Sequence, residues 1–493
     1  MKRSWLLLGL ILTCTGTYCQ TEDDFEKYAR EQEAAFNEYV RTEEERFKAY
    51  NDSINREFGR YLAEVWPDYP LTKKEPPIKN PIPPDTYVPG DPRPNPMRYP
   101  VRGEIEPPAQ PVPPTHDDRR KLTPIPMEIP QLKADFYGTT VTLRRVSYAL
   151  PPLRSVDEKS VAAYWNSLSR LPYTEWVGSV KQYKDELSLN DWGMYQLINR
   201  VFKAYFPQGT ANEQVVFAVF TLNQLGYRAK IGRVRQDLLP LIVFNCEVTN
   251  TMFFRYGDEQ GVVYTVVNSE HKDLTSIRTC RMEYGGATKR FDMSLDRTPA
   301  LGQNVVTKVL KDKQRSYNLQ YNADYSRFLS SYPCVNFNYY AEAGLSDAFW
   351  QSVERQIAPA LKGKTQEEAV NTLLHFAQYA FEYKTDDDQF GYEHWFFPEE
   401  TIASSYSDCE DRAILFSQLV RRLLGMKVVL LYYPGLHLAT AVHFDNPHTR
   451  GDYVLVDGQK YLICDPTYIG ASLGMGMPDL MKVSIEVVKL NDK

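Results

Sequence analysis

Between Pro67 and Pro130 the chain places 20 of its 33 prolines. Proline fixes φ and removes a backbone donor, so a segment this dense cannot run as a helix or supply the middle of a sheet. Its apolar residues are few and isolated, and the composition favours extended polyproline II. Fully stretched, it could reach on the order of 200 Å at about 3.1 Å per residue. Residues 67–132 are therefore expected to be a linker, either a spacer or a strap lying on a surface. Any core must be built from what stands on either side.

On the N-terminal side, residues 1–19 combine Lys2 and Arg3 with the apolar run Trp5–Leu12, the pattern of a signal peptide. Processing after Cys19 would leave Gln20 first, and Cys14 and Cys19 admit a lipid anchor as a second reading. The protein is expected to be exported, periplasmic or extracellular. No later stretch is apolar enough to span a bilayer.

Residues 20–66 follow as one long helical pattern. Phe25, Phe36, Phe47 and Phe58 recur every 11 residues, and so do Tyr28, Tyr39, Tyr50 and Tyr61. That period keeps the aromatics on one face of a nearly straight helix. Such a stripe needs a cover, supplied by the chain's own domains or by self-association through residues 20–66. Residues 21–66 carry 13 acidic and 7 basic side chains, a net −6 that equals the whole-chain value. The rest is balanced, so no basic surface for nucleic acid is implied.

Beyond the linker the chain is long enough for two α+β domains, expected at 133–323 and 324–493. In the first, Ser188–Phe206 and Glu213–Leu225 read as helices, and β-type runs from Val262 to Tyr317 turn at Gly285-Gly286. In the second, Val335–Tyr340 reads as a strand, and Ser346–Ala360 and Thr365–Tyr383 as helices. A helix ending in Leu225-Gly226 and followed by a strand parallels Leu424-Gly425 and its strand, at an offset of 199. That offset sets Thr210 against Cys409 and Leu238 against His437, so the first domain is a possible degenerate repeat.

The chemistry concentrates between Ser407 and Thr467. Cys409 stands at the start of an apolar helical run closed by Gly425, where unpaired N–H groups favour a thiolate. His437 opens one strand, and Asp465 ends another in Cys464-Asp465-Pro466-Thr467. A nucleophile, a base and an orienting carboxylate make a complete acyl-transfer set. His443 is a rival base at the far end of the histidine strand. Five cysteines follow residue 19, namely Cys246, Cys280, Cys334, Cys409 and Cys464. The odd number leaves at least one thiol unpaired, with Cys246–Cys280 a possible bridge.

The segments Ser407-Asp408-Cys409-Glu410-Asp411-Arg412-Ala413, His437-Leu438-Ala439-Thr440-Ala441-Val442 and Cys464-Asp465-Pro466-Thr467-Tyr468 resemble the core of the transglutaminase-like superfamily. The Asp-Cys-Glu-Asp form is most similar to its secreted bacterial cysteine peptidases. Ser407 departs from a commoner glycine, and Ala439 from a commoner aromatic residue. The resemblance covers roughly residues 330–480. It implies a papain-like or transglutaminase-like catalytic domain acting on peptide or amide bonds through an acyl-thioester on Cys409.

The acidic and aromatic loop Asp386–Pro398 leads into Cys409 and is expected to wall the cleft. Gln389 or Trp395 could there assist the Cys409 N–H in holding an oxyanion, with packing the other role for Trp395. Asp408, Glu410 and Asp411 crowd carboxylates around the thiol and should raise its pKa. Arg412 could neutralise one of them. The resemblance to calcium-dependent relatives adds Ca²⁺ at Asp408, Glu410 and Asp411 as a possible counter-charge. No other cofactor is required. The expected partner is a peptide or protein substrate in the cell envelope, with hydrolysis the default outcome. Cross-linking to an amine, or a non-catalytic envelope binding protein that keeps the fold, are the alternatives.

Overall fold

The computed structural model describes residues 22–78, 81–89, 96–107, 131–145, 150–258, 260–267 and 274–491, with side-chain surroundings left out for many residues before 48. The expected signal peptide lies outside the described residues. The chain is of mixed α+β class and divides after Phe58 into two compact units. The first is drawn from the helix Glu22–Leu62. On it Tyr39 and Tyr50 of the 11-residue stripe are each 60% exposed, and the side chains of Phe25, Tyr28, Phe36 and Phe47 lie outside the described set. Among the described residues no helix is long and apolar enough to cross a membrane.

The second unit contains two sheets with their helices. Residues 133–323 and 324–493 both fall within it. The first sheet runs, edge to edge, Asp68–Pro70, Ser276–Thr279, Ala229–Val234, Asp237–Ile242, Val262–Val266, Thr251–Tyr256, Thr72–Lys74. The second runs Val101–Ile105, Ile485–Val488, Val428–Tyr433, His437–His443, Gln459–Cys464, Tyr453–Val456. The five strands from Ser276–Thr279 to Thr251–Tyr256 follow the same order and antiparallel pairing as those from Ile485–Val488 to Tyr453–Val456. In each half an antiparallel hairpin follows a buried helix, Ala211–Gln224 or Cys409–Leu424. Pairing moves the counterpart of His437 by one residue. His437 faces Tyr433 across its hairpin and Asp237 faces Val234, so Asp237, not Leu238, holds the equivalent place.

Proline determines how the linker is used. Asp68–Pro70 and Thr72–Lys74 are the two edges of the first sheet, and Val101–Ile105 is an edge of the second. Edge strands tolerate a missing donor, and an interior ladder does not. Between these strands the segment acts as a strap. Ile82 N–H donates to Leu436 O at 3.1 Å, Tyr87 N–H to Ile469 O at 2.9 Å, and Tyr99 N–H to Tyr453 O at 2.8 Å. Arg98 bridges to Tyr453 on one edge strand just before Val101 joins Ile485–Val488 on the other side. The strap thus spans the gap between the sheet's two ends.

The second sheet is buried on both faces. Val428, Val442 and Leu462 pack with Leu415, Phe416 and Leu419 of the Cys409 helix and with Leu373 and Leu374 of helix Gln366–Tyr379. Their strand neighbours Val429, Ala441 and Ile463 face Tyr99, Ile485 and Val487, with Ile82 and Tyr87 at the margin. Two covered faces explain why these strands read as nearly continuous apolar runs. The hairpin Val305–Lys311 and Ser316–Asn322 also joins this core through Leu310, Tyr317 and Leu319.

Val335–Tyr340 is not a strand. Phe337–Glu342 is a short helix, and Phe337 stacks on Trp395 at 4.3 Å. A short apolar run buried on every side suits either conformation.

Candidate active site

The helix Cys409–Leu424 is buried along its first 13 residues, including Glu410, Asp411, Arg412 and Arg421, and ends in Gly425 at φ +63°. A helix enclosed all round must satisfy its charges internally. Arg421 does so with Glu342 at 3.0 Å and Ala341 O at 3.0 Å. Arg412 donates to Ser407 Oγ at 2.9 Å and to the carbonyls of Gln378 and Phe381 at 3.2 and 2.9 Å. Its hydrogen bonds go to a hydroxyl and backbone oxygens, while its charge acts to lower the pKa of Asp408.

His437 and Asp465 meet. His437 Nε2 lies 2.9 Å from Asp465 Oδ2, and both residues are buried. The Asp-Pro-Thr turn fixes that carboxylate, because Thr467 donates to Asp465 Oδ1 from its N–H at 2.9 Å and its hydroxyl at 2.7 Å. Burial works to raise the pKa of Asp465, but the His437 and Thr467 interactions outweigh it and hold the group below its ordinary value. His443 is elsewhere, with Nδ1 2.9 Å from Lys460 O.

Cys409 is the first residue of its helix and is fully buried. Its thiol donates to Glu410 Oε2 at 2.9 Å, and the backbone N–H of Leu438, the residue after His437, acts to lower its pKa. Burial pushes the thiol well above its ordinary pKa, and Glu410 and Asp408 push it further. The carboxylates nearby respond in kind. Asp386 is raised to about 10 and Glu393 to about 7, each by burial first and then by Asp408. Asp408, Glu410 and Asp411 are raised too, with burial the largest cause in each case.

Four buried polar atoms here have no hydrogen-bond partner among the described residues: His437 Nδ1, Tyr383 Oη, Asp386 Oδ1 and Asp408 Oδ1. Buried polar groups are nearly always paired, so orphans beside one thiol mark a place kept open for chemistry. Tyr383 was not visible in the sequence as a site residue. It reaches the site because Glu382–Tyr383 pairs with Tyr406–Ser407, two residues before Cys409. Burial raises the pKa of its phenol, and Cys409 is the next largest influence on it.

The other expected residues are engaged elsewhere. Gln389 Nε2 donates to Lys384 O at 2.9 Å. Trp395 is buried against Phe337 and Tyr340, and its Nε1 points to Glu393 Oε2 at 3.4 Å. Asp386 and Asp408 each offer one unshared oxygen, the kind of donor Ca²⁺ takes. Among the described residues, however, no group of three or more His, Cys, Asp or Glu is placed to hold a metal ion. The five cysteines Cys246, Cys280, Cys334, Cys409 and Cys464 are all free thiols, so the bridge between Cys246 and Cys280 does not form. No protein-family model matches the chain, and no curated protein is similar enough to match it.

Proposed function

We propose that the protein is an exported thiol enzyme that cleaves peptide or amide bonds at Cys409, on a transglutaminase-like scaffold. The observation that carries this reading is the buried pair in which Asp465 holds His437 Nε2 while Nδ1 has no partner among the described residues, with the adjoining Leu438 N–H acting on the Cys409 thiol. His437 Nδ1 takes the thiol proton once the side chain turns away from Glu410. The thiolate adds to the substrate carbonyl carbon, and the π pair moves to oxygen. The oxyanion accepts hydrogen bonds from Tyr383 Oη and the Cys409 N–H. Collapse expels the amine, which collects its proton from His437 and leaves a thioester. Water, deprotonated by His437, then releases the carboxylic acid. Asp465 keeps Nε2 protonated throughout. The substrate is a peptide or protein of the cell envelope, and residues 20–66 mediate self-association through their exposed tyrosine face.

One observation favours a non-catalytic binding protein: the thiol is buried, protonated and bound to Glu410. Alkylation with iodoacetamide, read by peptide mass spectrometry, separates the two. A catalytic Cys409 labels in the folded protein, faster at alkaline pH, and slows when His437 is replaced by alanine. A Cys409 that labels only after denaturation would overturn the enzyme reading.

A further inference from the structure

We propose that a cavity of about 400 Å³ between the first sheet and the loop before Cys409 binds a lysine or arginine side chain of a peptide. Its walls include Val248, Met252 and Val267 from the first sheet's half, and Glu393 from the acidic loop. The volume falls in the range of ordinary ligand pockets, which pair apolar walls with a few placed polar groups. A lining that mixes apolar residues, the hydroxyl residues Thr249, Thr265 and Ser331, and one acidic residue suits a side chain with a long aliphatic stem and a cationic head.

The charges select the cation. Glu393 is half-buried, the side-chain donor to its carboxylate among the described residues is Trp395 Nε1 at 3.4 Å, and Asp408 and Asp387 act to raise its pKa. His394, also on the lining, is held uncharged by burial. Lys73 is the one cation on the lining, but it is exposed, and no ion pair joins it to Glu393 among the described residues. An entering ammonium or guanidinium would therefore relieve repulsion, whereas an anion would add to it. The backbone of Glu393 is fixed, since Cys334 Sγ donates to its carbonyl at 3.2 Å. The same loop continues to Cys409, so a residue seated here would lie on the acidic approach to the thiol.

Calling this residue part of a substrate rests on the proposed thiol chemistry, but its binding does not. The test is calorimetric titration of the full chain with N-acetyl-lysine N-methylamide, its norleucine counterpart and cadaverine. The lysine compound should bind at least tenfold more tightly than the norleucine compound. Glu393→Gln should abolish that preference, and Cys409→Ala should leave it unchanged. If Glu393→Gln does not fold, Glu393→Asp should weaken lysine binding several-fold. Equal binding of lysine and norleucine compounds, or an unchanged preference in a folded Glu393→Gln protein, would overturn the proposal. Cadaverine matching the lysine compound would overturn the peptide assignment. Binding that persists in a protein whose Cys409 never labels would sink the catalytic reading and leave this one standing.

Discussion

The helix–hairpin of residues 211–242 and that of 409–443 share sheet topology and a reciprocally capped helix start, but they place different groups at the cap and at the strand opening. In the first, Thr210 caps the helix, accepting the Glu213 N–H at 3.2 Å, and Glu213 returns to the Thr210 N–H at 2.7 Å. The other Glu213 oxygen takes the Leu153 N–H at 2.8 Å. At the hairpin, Asp237 is exposed to water. In the second, the cap is Asp408 with one orphan oxygen, the first helical residue is a buried thiol, and the strand opens with a buried, half-satisfied histidine. Counted from the cap, Ala211 stands where Cys409 stands. Both halves leave buried polar atoms without a hydrogen-bond partner among the described residues, Asn223 Oδ1 and Arg228 Nε in the first, but only the second leaves them at the helix cap and at the histidine that opens its strand. Departures from full satisfaction are expected at functional sites and need support from the surroundings.

The largest effect that could break this contrast is on turnover. Cys409→Ala or His437→Ala should reduce cleavage of any peptide substrate by at least a thousandfold, while Thr210→Ala leaves it unchanged, as steady-state kinetics would check. Activity that survives in His437→Ala would remove His437 as the base and leave His443, at the other end of the strand, as the candidate. Tyr383→Phe comes next. Loss of one oxyanion donor lowers kcat by about 10²–10³-fold, without slowing iodoacetamide alkylation, which forms no oxyanion. A parallel drop in both would reduce Tyr383 to packing.

The third prediction concerns stability against pH. Burial raises Glu400 to about 8 from an ordinary carboxylate value. The folded state therefore holds a proton that the unfolded chain releases, so stability falls as pH rises from about 5 to 8. Glu400→Gln should add about 1–3 kcal/mol at pH 8 and little at pH 5, in denaturant melts at both values. A gain that is equal at the two pH values would disprove the protonated state. The smallest effect tests the quiet half. Thr210→Ala should cost about 1 kcal/mol through its lost cap, measured by thermal unfolding.

How much of this could be read beforehand depends on how local each signal is. The Cys409 helix was legible because its apolar spacing and the left-handed Gly425 lie within 17 residues of each other. The Asp465–Thr467 turn was legible because its hydrogen bonds are internal to three residues. The strands at 68–70, 72–74 and 101–105 were not, since nothing in a proline-rich segment marks a partner such as Ile485 or Thr251 far along the chain. Tyr383 could not be seen either. Its importance is the absence of a partner, which only the folded surroundings define. Trp395 shows the converse, a residue whose chemistry suggested the site and whose ring is used for packing.

The bridge that residues 98–105 make across the second sheet has a consequence for how the molecule comes into being. Arg102 meets Glu486 at a sequence separation of 384, and Met97 meets Asp452 at 355. During synthesis these residues emerge early and wait, unpaired, until nearly the whole chain has followed. Pairings of such range close slowly, because the loop entropy must be overcome before the contact forms. The half that carries Cys409 therefore cannot mature in order of translation. Its sheet gains the pairings with residues 97–105 only after Asp452 and Glu486 have been made.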